Sequence, residues 1–377
     1  MTERMSDIKT EKAETPKRSK YLSIVESLRR DIASGRYRPG ARLPSEAELV
    51  RRFSVSRMTV VKAIQQLQQD GLLVRRAGSG TYAAGQAATE GLSFGLLIPD
   101  LGQTEIFEPI CRGMMRSPSV KGHSLAWGHA LSTAHKEEEA EHLCRSFIEQ
   151  GVAGIFFAPV EFTSREDVNS RILRALDKAH IPVILLDRDV VPYPERSSYD
   201  LVGLDNRRAG YIVTDHLIRQ GATRIAFFAR EHSAETVDSR IAGYREALHT
   251  HDLSPAPDLL LRGEAGDKTF VEMALRKSKA DAVMCANDHT AANLMQTILS
   301  LGLRIPEDIR IAGVDDVKYA SLLPIPLTTF HQPCADIGAA GMSAMLERIS
   351  NPHLPPRSIR LNGHLVVRRS CGRKENP

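Results

Sequence analysis

Asp187 and Arg188 stand side by side at the end of an apolar run that begins at Ile181. A carboxylate accepts two hydroxyl hydrogens and a guanidinium donates in a fixed fork, so the pair suits neighbouring hydroxyls of a sugar. Far upstream, Ser56, Arg57, Met58 and Thr59 are followed one helical turn later by Val61, Lys62 and Gln65. A helix that presents its N-terminal residues to base edges in a DNA major groove would carry such a set, with Arg57, Lys62, Arg75 and Arg76 available for phosphates. Catalytic patterns are weak by comparison. The chain has no H-E-x-x-H and no phosphate-loop pattern, and Gly78-Ser79-Gly80 falls in a hairpin tip rather than a nucleophile elbow. Glu138 and His142 have zinc-compatible spacing, but the surrounding Glu137, Glu139 and Glu141 read as the solvated side of a helix. No catalytic set, metal or cofactor is expected. Five cysteines (Cys111, Cys144, Cys285, Cys334, Cys371), odd in number and without C-x-x-C, argue against a disulfide framework or a zinc ribbon and for a reducing cytoplasm.

The 377 residues are enough for two or three domains, and 42% apolar with 25% charged residues is ordinary globular usage. Charge is unevenly spread. Residues 17 to 82 hold 14 Lys or Arg against 5 Asp or Glu, whereas residues 83 to 377 hold 33 against 37. A small basic domain ahead of a slightly acidic one is expected where only the first part meets a polyanion. No apolar run reaches the roughly 18 residues of a membrane span, and the charged N-terminus is unlike a secretory signal. Those features place the chain in the cytoplasm with no membrane partner, and count against a solute-binding protein for transport.

The elements that must position these residues follow from periodicity. Residues 1–19 are polar and read as a tail. Tyr21, Ile24, Val25, Leu28 and Ile32 share one face of a first helix that Gly35 stops, and Pro39-Gly40 makes a turn. Ser45 with Glu48 forms a capping box for a second helix, and Ser56 caps a third whose core positions are Val60, Ala63, Ile64 and Leu67. After Gly71, two short strands, 72–76 and 80–83, join through Ala77-Gly78-Ser79. Three helices and a hairpin over 20–83 make a winged helix-turn-helix, and 84–92 reads as a linker. From Ser93 to 371, apolar runs near 94–99, 124–127, 154–158, 183–187, 201–204, 225–229, 282–286 and 309–314 alternate with amphipathic stretches such as 137–149 and 206–220. That rhythm predicts an α/β domain of parallel doubly wound sheets in two similar lobes, with ligands at the carboxyl ends of strands. Asp205 and Asn206 are expected to cap a helix, and Asp315 and Asp316 to serve a turn. Trp127 could face a ligand or the core. Residues 372–377 form a short tail.

Leu43-Pro44-Ser45-Glu46, Val55-Ser56-Arg57-Met58-Thr59-Val60 and Gly78-Ser79-Gly80-Thr81-Tyr82 resemble the GntR-type winged helix-turn-helix domain. Residues 93–371 resemble the two-lobed effector domain of LacI-type repressors and ribose-binding-like proteins, at Ile181 to Arg188, Asp205-Asn206, Asn287-Asp288 and Ile311 to Asp316. The combination is similar to that of arabinose-repressor-like regulators. The resemblance implies DNA contacts from Ser45, Ser56, Arg57, Met58, Thr59, Lys62, Gln65, Arg75, Arg76, Gly78, Ser79 and Gly80. It also implies an effector cleft lined by Phe107, Asp187, Arg188, Arg240, Asp288 and Gln332, with Phe107 stacking on a sugar ring. The GntR family usually has Arg where this chain has Val61, and often where it has Ala47, so an operator borrowed from a relative need not fit. The expected function is a homodimeric, sugar-responsive repressor on a double-stranded operator, with 332–350 and earlier lobe helices supplying the dimer surface. The alternative is a sugar- or nucleotide-processing α/β enzyme with a DNA-binding appendage.

Overall fold

The computed structural model describes residues 20–33, 36–37, 41–69, 72–76, 80–83, 91–98, 105–128, 136–161, 168–192 and 195–372. The chain divides into two compact units, Met1–Thr89 and Glu90–Pro377. Gly35, Pro39, Gly40, Gly71, Ala77, Gly78, Ser79 and 84–90, to which the sequence assigns stops, turns and a linker, lie outside the described residues.

In the first unit, helix α1 (Lys20–Ala33) buries Ile24, Val25 and Leu28. Helix α2 (Glu46–Phe53) starts at the capping box: Glu48 N–H donates to Ser45 Oγ at 3.3 Å, and Ser45 N–H donates to Glu48 Oε2 at 2.7 Å. The reciprocal bonds satisfy two backbone donors that a helix start otherwise leaves open. Ser54, at φ 50°, ends the helix in the left-handed region. Helix α3 (Arg57–Gln69) buries Val60, Ala63, Ile64 and Leu67 against α1 and Leu49. Strands β1 (Leu73–Arg76) and β2 (Gly80–Ala83) pair antiparallel. Residues 41–43 run along the outer side of β2, with Leu43 N–H on Thr81 O and Ala83 N–H on Ala41 O, which ties the wing to the helices.

In the second unit, the first lobe is a sheet in the order β13-β7-β6-β5-β3-β4, formed by β3 (Ser93–Leu97), β4 (Ser124–Trp127), β5 (Gly154–Phe157), β6 (Val183–Leu186), β7 (Asp200–Leu204) and β13 (Ser358–Leu361). All its pairings are parallel. Helices α4 (Phe107–Arg116), α5 (Lys136–Glu149), α6 (Val168–Lys178) and α11 (Cys334–Ser350) cover its two faces. The second lobe has the order β14-β12-β11-β10-β8-β9, from β8 (Ile225–Ala229), β9 (Leu260–Arg262), β10 (Ala282–Cys285), β11 (Arg310–Asp315), β12 (Thr328–His331) and β14 (His364–Val366). It is covered by α7 (Asn206–Arg219), α8 (Glu235–Thr250), α9 (Lys268–Ser278) and α10 (Asp288–Ser300). Central strands such as Gly154–Phe157 and Ala282–Cys285 are buried at every position, as expected of strands packed on both faces.

The chain crosses between lobes at three places: β7 to α7, β12 to α11 and β13 to β14. One helix pair in each lobe is close because glycines face backbone. A β-carbon on Gly113 or Gly338 would overlap the other helix's backbone between α4 and α11, and one on Gly210 or Gly243 would do so between α7 and α8.

Candidate functional site

On the first unit, buried Val60, Ala63 and Ile64 turn the rest of α3 outward. Ser56, Arg57, Met58, Lys62 and Gln65 are exposed and Thr59 is half-buried; Met58 is 75% exposed, so nothing apolar in its own fold covers it. Thr59 N–H donates to Ser56 Oγ at 3.3 Å, the N-cap that fixes the entry to the helix. Glu46 bridges two of the sequence-assigned cations, at 3.0 Å from Arg57 Nε and 3.2 Å from Arg75 Nη2. Lys62 Nζ sits 4.8 Å from the centre of the Tyr21 ring. Ser45 is exposed at its cap, and Gly80 has φ 127° and a neighbouring Arg42 Nε 3.0 Å from where a β-carbon would stand. Arg76 belongs to β1, whereas Gly78 and Ser79 lie outside the described residues.

In the second unit the cleft forms at the carboxyl ends of strands from both lobes. After β6, Asp187 takes φ 69° while its N–H donates to Val202 O at 2.8 Å. Gly203 permits this approach, since its β-carbon would come within 2.8 Å of Asp187 O. Asp187 Oδ2 accepts from Arg188 Nε at 3.2 Å, and its Oδ1 has no hydrogen-bond partner among the described residues. Arg188 Nη1 lies 2.5 Å from Glu161 Oε2. Burial alone would lower the Arg188 pKa, but the Glu161 and Asp187 carboxylates outweigh it and raise it.

From the second lobe, Arg240 Nε donates to Asn206 Oδ1 at 2.8 Å, Nη1 donates to Ala286 O, and Nη2 stands 3.7 Å from Asp315 Oδ1. Gln332, 1% exposed where β12 crosses to α11, has neither amide atom hydrogen-bonded among the described residues. A polar cavity of about 270 Å³ collects Glu161, Asp187, Arg188, Arg240, Asn287 and Asp315. Fixed donors alternating with carboxylate and amide acceptors can hold a polyhydroxylated ligand.

Several sequence expectations are revised. Phe107 does not line this cavity: it is 2% exposed, and Arg188 Cζ lies 5.7 Å from its ring centre, so the face expected to stack on a sugar supports the guanidinium. Asp288 is fully buried below the cavity. Its Oδ1 accepts from Thr329 Oγ1 at 2.6 Å and its Oδ2 from Val317 N–H at 3.0 Å, while Thr329 Oγ1 accepts from Asp316 N–H at 3.3 Å. Asp288 thus braces the 315–317 turn. Burial raises its pKa to about 7, against those hydrogen bonds, and burial raises that of Asp315 against the pull of Arg240.

Asp205 caps α7 through Arg208 N–H at 3.1 Å, but Asn206 orients Arg240 instead of capping. Asp316 serves the turn, pairing with Arg368 at 2.7 Å and His331 at 3.0 Å, whereas Asp315 turns into the cavity. Sequence reasoning missed Asp315, Glu161 and Asn287 as cavity residues. Asp315 carried the same signal as Asp187, a charge directly after an apolar strand. Trp127 is half-exposed on the edge strand β4, and Glu138 and His142 are exposed on α5. Burial pushes the Cys111 and Cys144 thiols up to about 11, so neither is a nucleophile at neutral pH.

Comparison with known proteins gives two family matches: "Bacterial regulatory proteins, gntR family" over residues 20–83 and "Periplasmic binding protein-like domain" over residues 214–371. The arabinose metabolism transcriptional repressor of Geobacillus stearothermophilus is 27% identical over 360 residues, covering 93% of this chain and 95% of its own. The HTH-type transcriptional repressor PurR of Vibrio campbellii is 30% identical over 256 residues, covering 66% of this chain and 74% of its own. Among solved structures, a LacI family transcriptional regulator from Enterococcus faecium with bound ribose is 26% identical with a TM-score of 0.60, covering 74% of this chain and 98% of that one.

Proposed function

This chain belongs to the bacterial transcriptional regulators that join a gntR-family DNA-binding domain to a periplasmic-binding-protein-like effector domain, and we propose that it is a repressor whose effector is a neutral sugar held between the two lobes. The observation that carries the reading is the convergence of Asp187 and Arg188 from one lobe with Arg240 and Asp315 from the other on one polar cavity. The ribose bound by the Enterococcus faecium regulator supports a sugar for this cavity. Relatives named as repressors favour regulation over the enzyme alternative.

A ligand changes operator affinity only as far as it prefers one lobe arrangement over another. Closing around Asp187 and Arg240 together would supply that preference. The DNA-binding surface of one chain covers a single half-site, so the active species is a homodimer on a near-palindromic operator, working in the cytoplasm. Part of the 332–350 segment assigned to the dimer surface packs internally, since Ile337, Gly338, Met342 and Met345 of α11 are buried within the lobe. The dimer contact therefore has to use the outward sides of the lobe helices.

A thermal-shift screen of pentoses, hexoses and sugar phosphates tests the reading. A ligand present at 100 times its dissociation constant adds about 2.7 kcal/mol of stability. The hit is expected to change operator affinity in an electrophoretic shift. A screen in which no sugar stabilises the protein, or a monomer by sedimentation on the operator, would overturn the corresponding part.

A further inference from the structure

The outward face of α3 is uneven in chemistry. Val60, Ala63, Ile64 and Leu67 are buried, so the opposite side of the helix presents Met58, Val61 and Gln65. Met58 and Gln65, seven positions apart, lie within about 20° of each other around the helix axis, and Val61 falls one turn from each. Met58 and Gln65 are exposed and Val61 is half-buried, and neither Met58 nor Val61 joins the hydrophobic core of the unit. The neighbouring cations are engaged elsewhere. Lys62 Nζ stands 4.8 Å from the centre of the Tyr21 ring on α1, and Arg57 Nε donates to Glu46 Oε2 at 3.0 Å. The middle of the face therefore carries a thioether, an isopropyl group and a primary amide, with no charge.

We infer that this stripe reads thymine: Met58 and Val61 pack on the C5-methyl groups of neighbouring thymines in the major groove, and Gln65 pairs with a nearby adenine. This rests on the DNA-binding role of the first unit given above. The thymine methyl is the apolar group on a major-groove base edge, and an amide meets adenine N6 and N7 with a matched acceptor and donor. Guanine is best met by the paired donors of Arg or Lys, which the stripe lacks. Charge settles which surface this patch suits. Residues 17 to 82 hold 14 Lys or Arg against 5 Asp or Glu, a field that attracts a phosphate backbone and repels a second copy of the same basic unit. A helix advances about 1.5 Å per residue and DNA about 3.4 Å per base pair, so Met58 and Val61 address adjacent pairs. Each half-site is therefore expected to place a short run of A·T pairs under the start of α3.

Selection of double-stranded DNA from a random pool by the full-length protein, followed by binding assays with uracil in place of thymine, tests this. Uracil lacks only the C5-methyl, so each contacted methyl is expected to be worth about fourfold in affinity, the burial of one such group. Met58→Ala is expected to bind the uracil and thymine forms equally at one position of each half-site and to keep the methyl dependence at the others. Neither misfolding nor a lost phosphate contact produces that pattern. Val61→Arg supplies the missing fork of donors and is expected to select guanine at the neighbouring position, while Gln65→Leu relaxes the choice of adenine. Thermal melting like the parent's shows that each variant is folded. Uracil-containing operator bound as tightly as the thymine form, parent half-sites with guanine where Val61→Arg also selects it, or Met58→Ala keeping every methyl dependence would overturn the proposal while the DNA-binding role stands. A pool from which the parent enriches no sequence overturns both.

Discussion

The carboxylate of Asp288 occupies the space that a β-carbon on Gly313 would need. Because Asp288 holds Val317 N–H and the Thr329 hydroxyl, any displacement passes to the turn that presents Asp315 to the cavity. Gly313→Ala is expected to destabilise the effector unit by about 1 to 3 kcal/mol, the usual cost of overpacking a core. Urea unfolding checks the stability, and calorimetry is expected to show weakened effector binding as well. An alanine variant as stable as the parent would show that the carboxylate has room to move.

Asp288 also sets an expected pH dependence. Its pKa rises on folding from 3.8 to about 7, so between those values the folded chain keeps a proton that the unfolded chain has released. Stability from this group is therefore greatest at the acidic end of that window and is lost as pH rises through it. His216, whose pKa burial lowers below 6.5, acts in the opposite sense, losing stability as pH falls. The informative quantity is thus the difference from Asp288→Asn. Parent and variant melting temperatures compared from pH 5 to pH 8 are expected to diverge, with the variant gaining relative stability toward pH 8. A constant difference would contradict the assignment.

Arg188 joins Glu161, Asp187 and the Phe107 face in one buried arrangement. A lysine is a point charge that cannot reproduce the planar fork or the stacking. Arg188→Lys is expected to weaken effector binding tenfold or more while ligand-free operator binding stays within twofold. Arg188→Leu removes the charge altogether and leaves two carboxylates without their cation, costing about 3 to 5 kcal/mol of stability. Calorimetry and urea unfolding separate the two variants.

Glu46 engages Arg57 and Arg75, two of the cations that the family resemblance assigns to DNA. Exposed pairs of this kind contribute little to stability, so Glu46→Gln is expected to unfold within about 1 kcal/mol of the parent. Its effect should appear in binding. Each arginine freed for a phosphate steepens the dependence of log affinity on log salt by about 0.9, and random DNA gains more than operator. A salt titration on both DNAs checks this; unchanged slopes would mean that the arginines already leave Glu46 on binding.

The winged unit was legible almost residue by residue, because its signals are local: the Ser45–Glu48 capping box and the apolar spacing of Val60, Ala63, Ile64 and Leu67 each lie within a few positions. Central strands were legible for a similar reason, as continuous apolar runs. Strands β9, β12, β13 and β14 escaped because each is short and broken by polar residues, and sequences such as Thr328-Thr329-Phe330-His331 become strands only through partners distant in the chain. The cleft was half legible. A charge directly after an apolar run marks a strand end, which identified Asp187 and Arg188. Whether a side chain there turns inward or braces a neighbour depends on contacts such as Asp288 with Thr329, Phe107 with Arg188 and Asn206 with Arg240, and none of these pairs is close in sequence.

The return of α11 and β13 to the first lobe has a consequence for the order of events on the ribosome. After Leu204 the chain builds nearly all of the second lobe before Cys334 starts the helix that covers α4, and Ser358–Leu361 adds the edge strand of the first lobe later still. During translation, at roughly 5 to 20 residues per second, the DNA-binding unit is complete long before the first lobe can close its sheet. A nascent or prematurely terminated chain ending before Cys334 therefore carries a finished basic domain but no finished effector lobe. Such fragments lack the lobe surfaces proposed to pair two chains, so they would hold at most a single half-site, weakly and without response to any ligand.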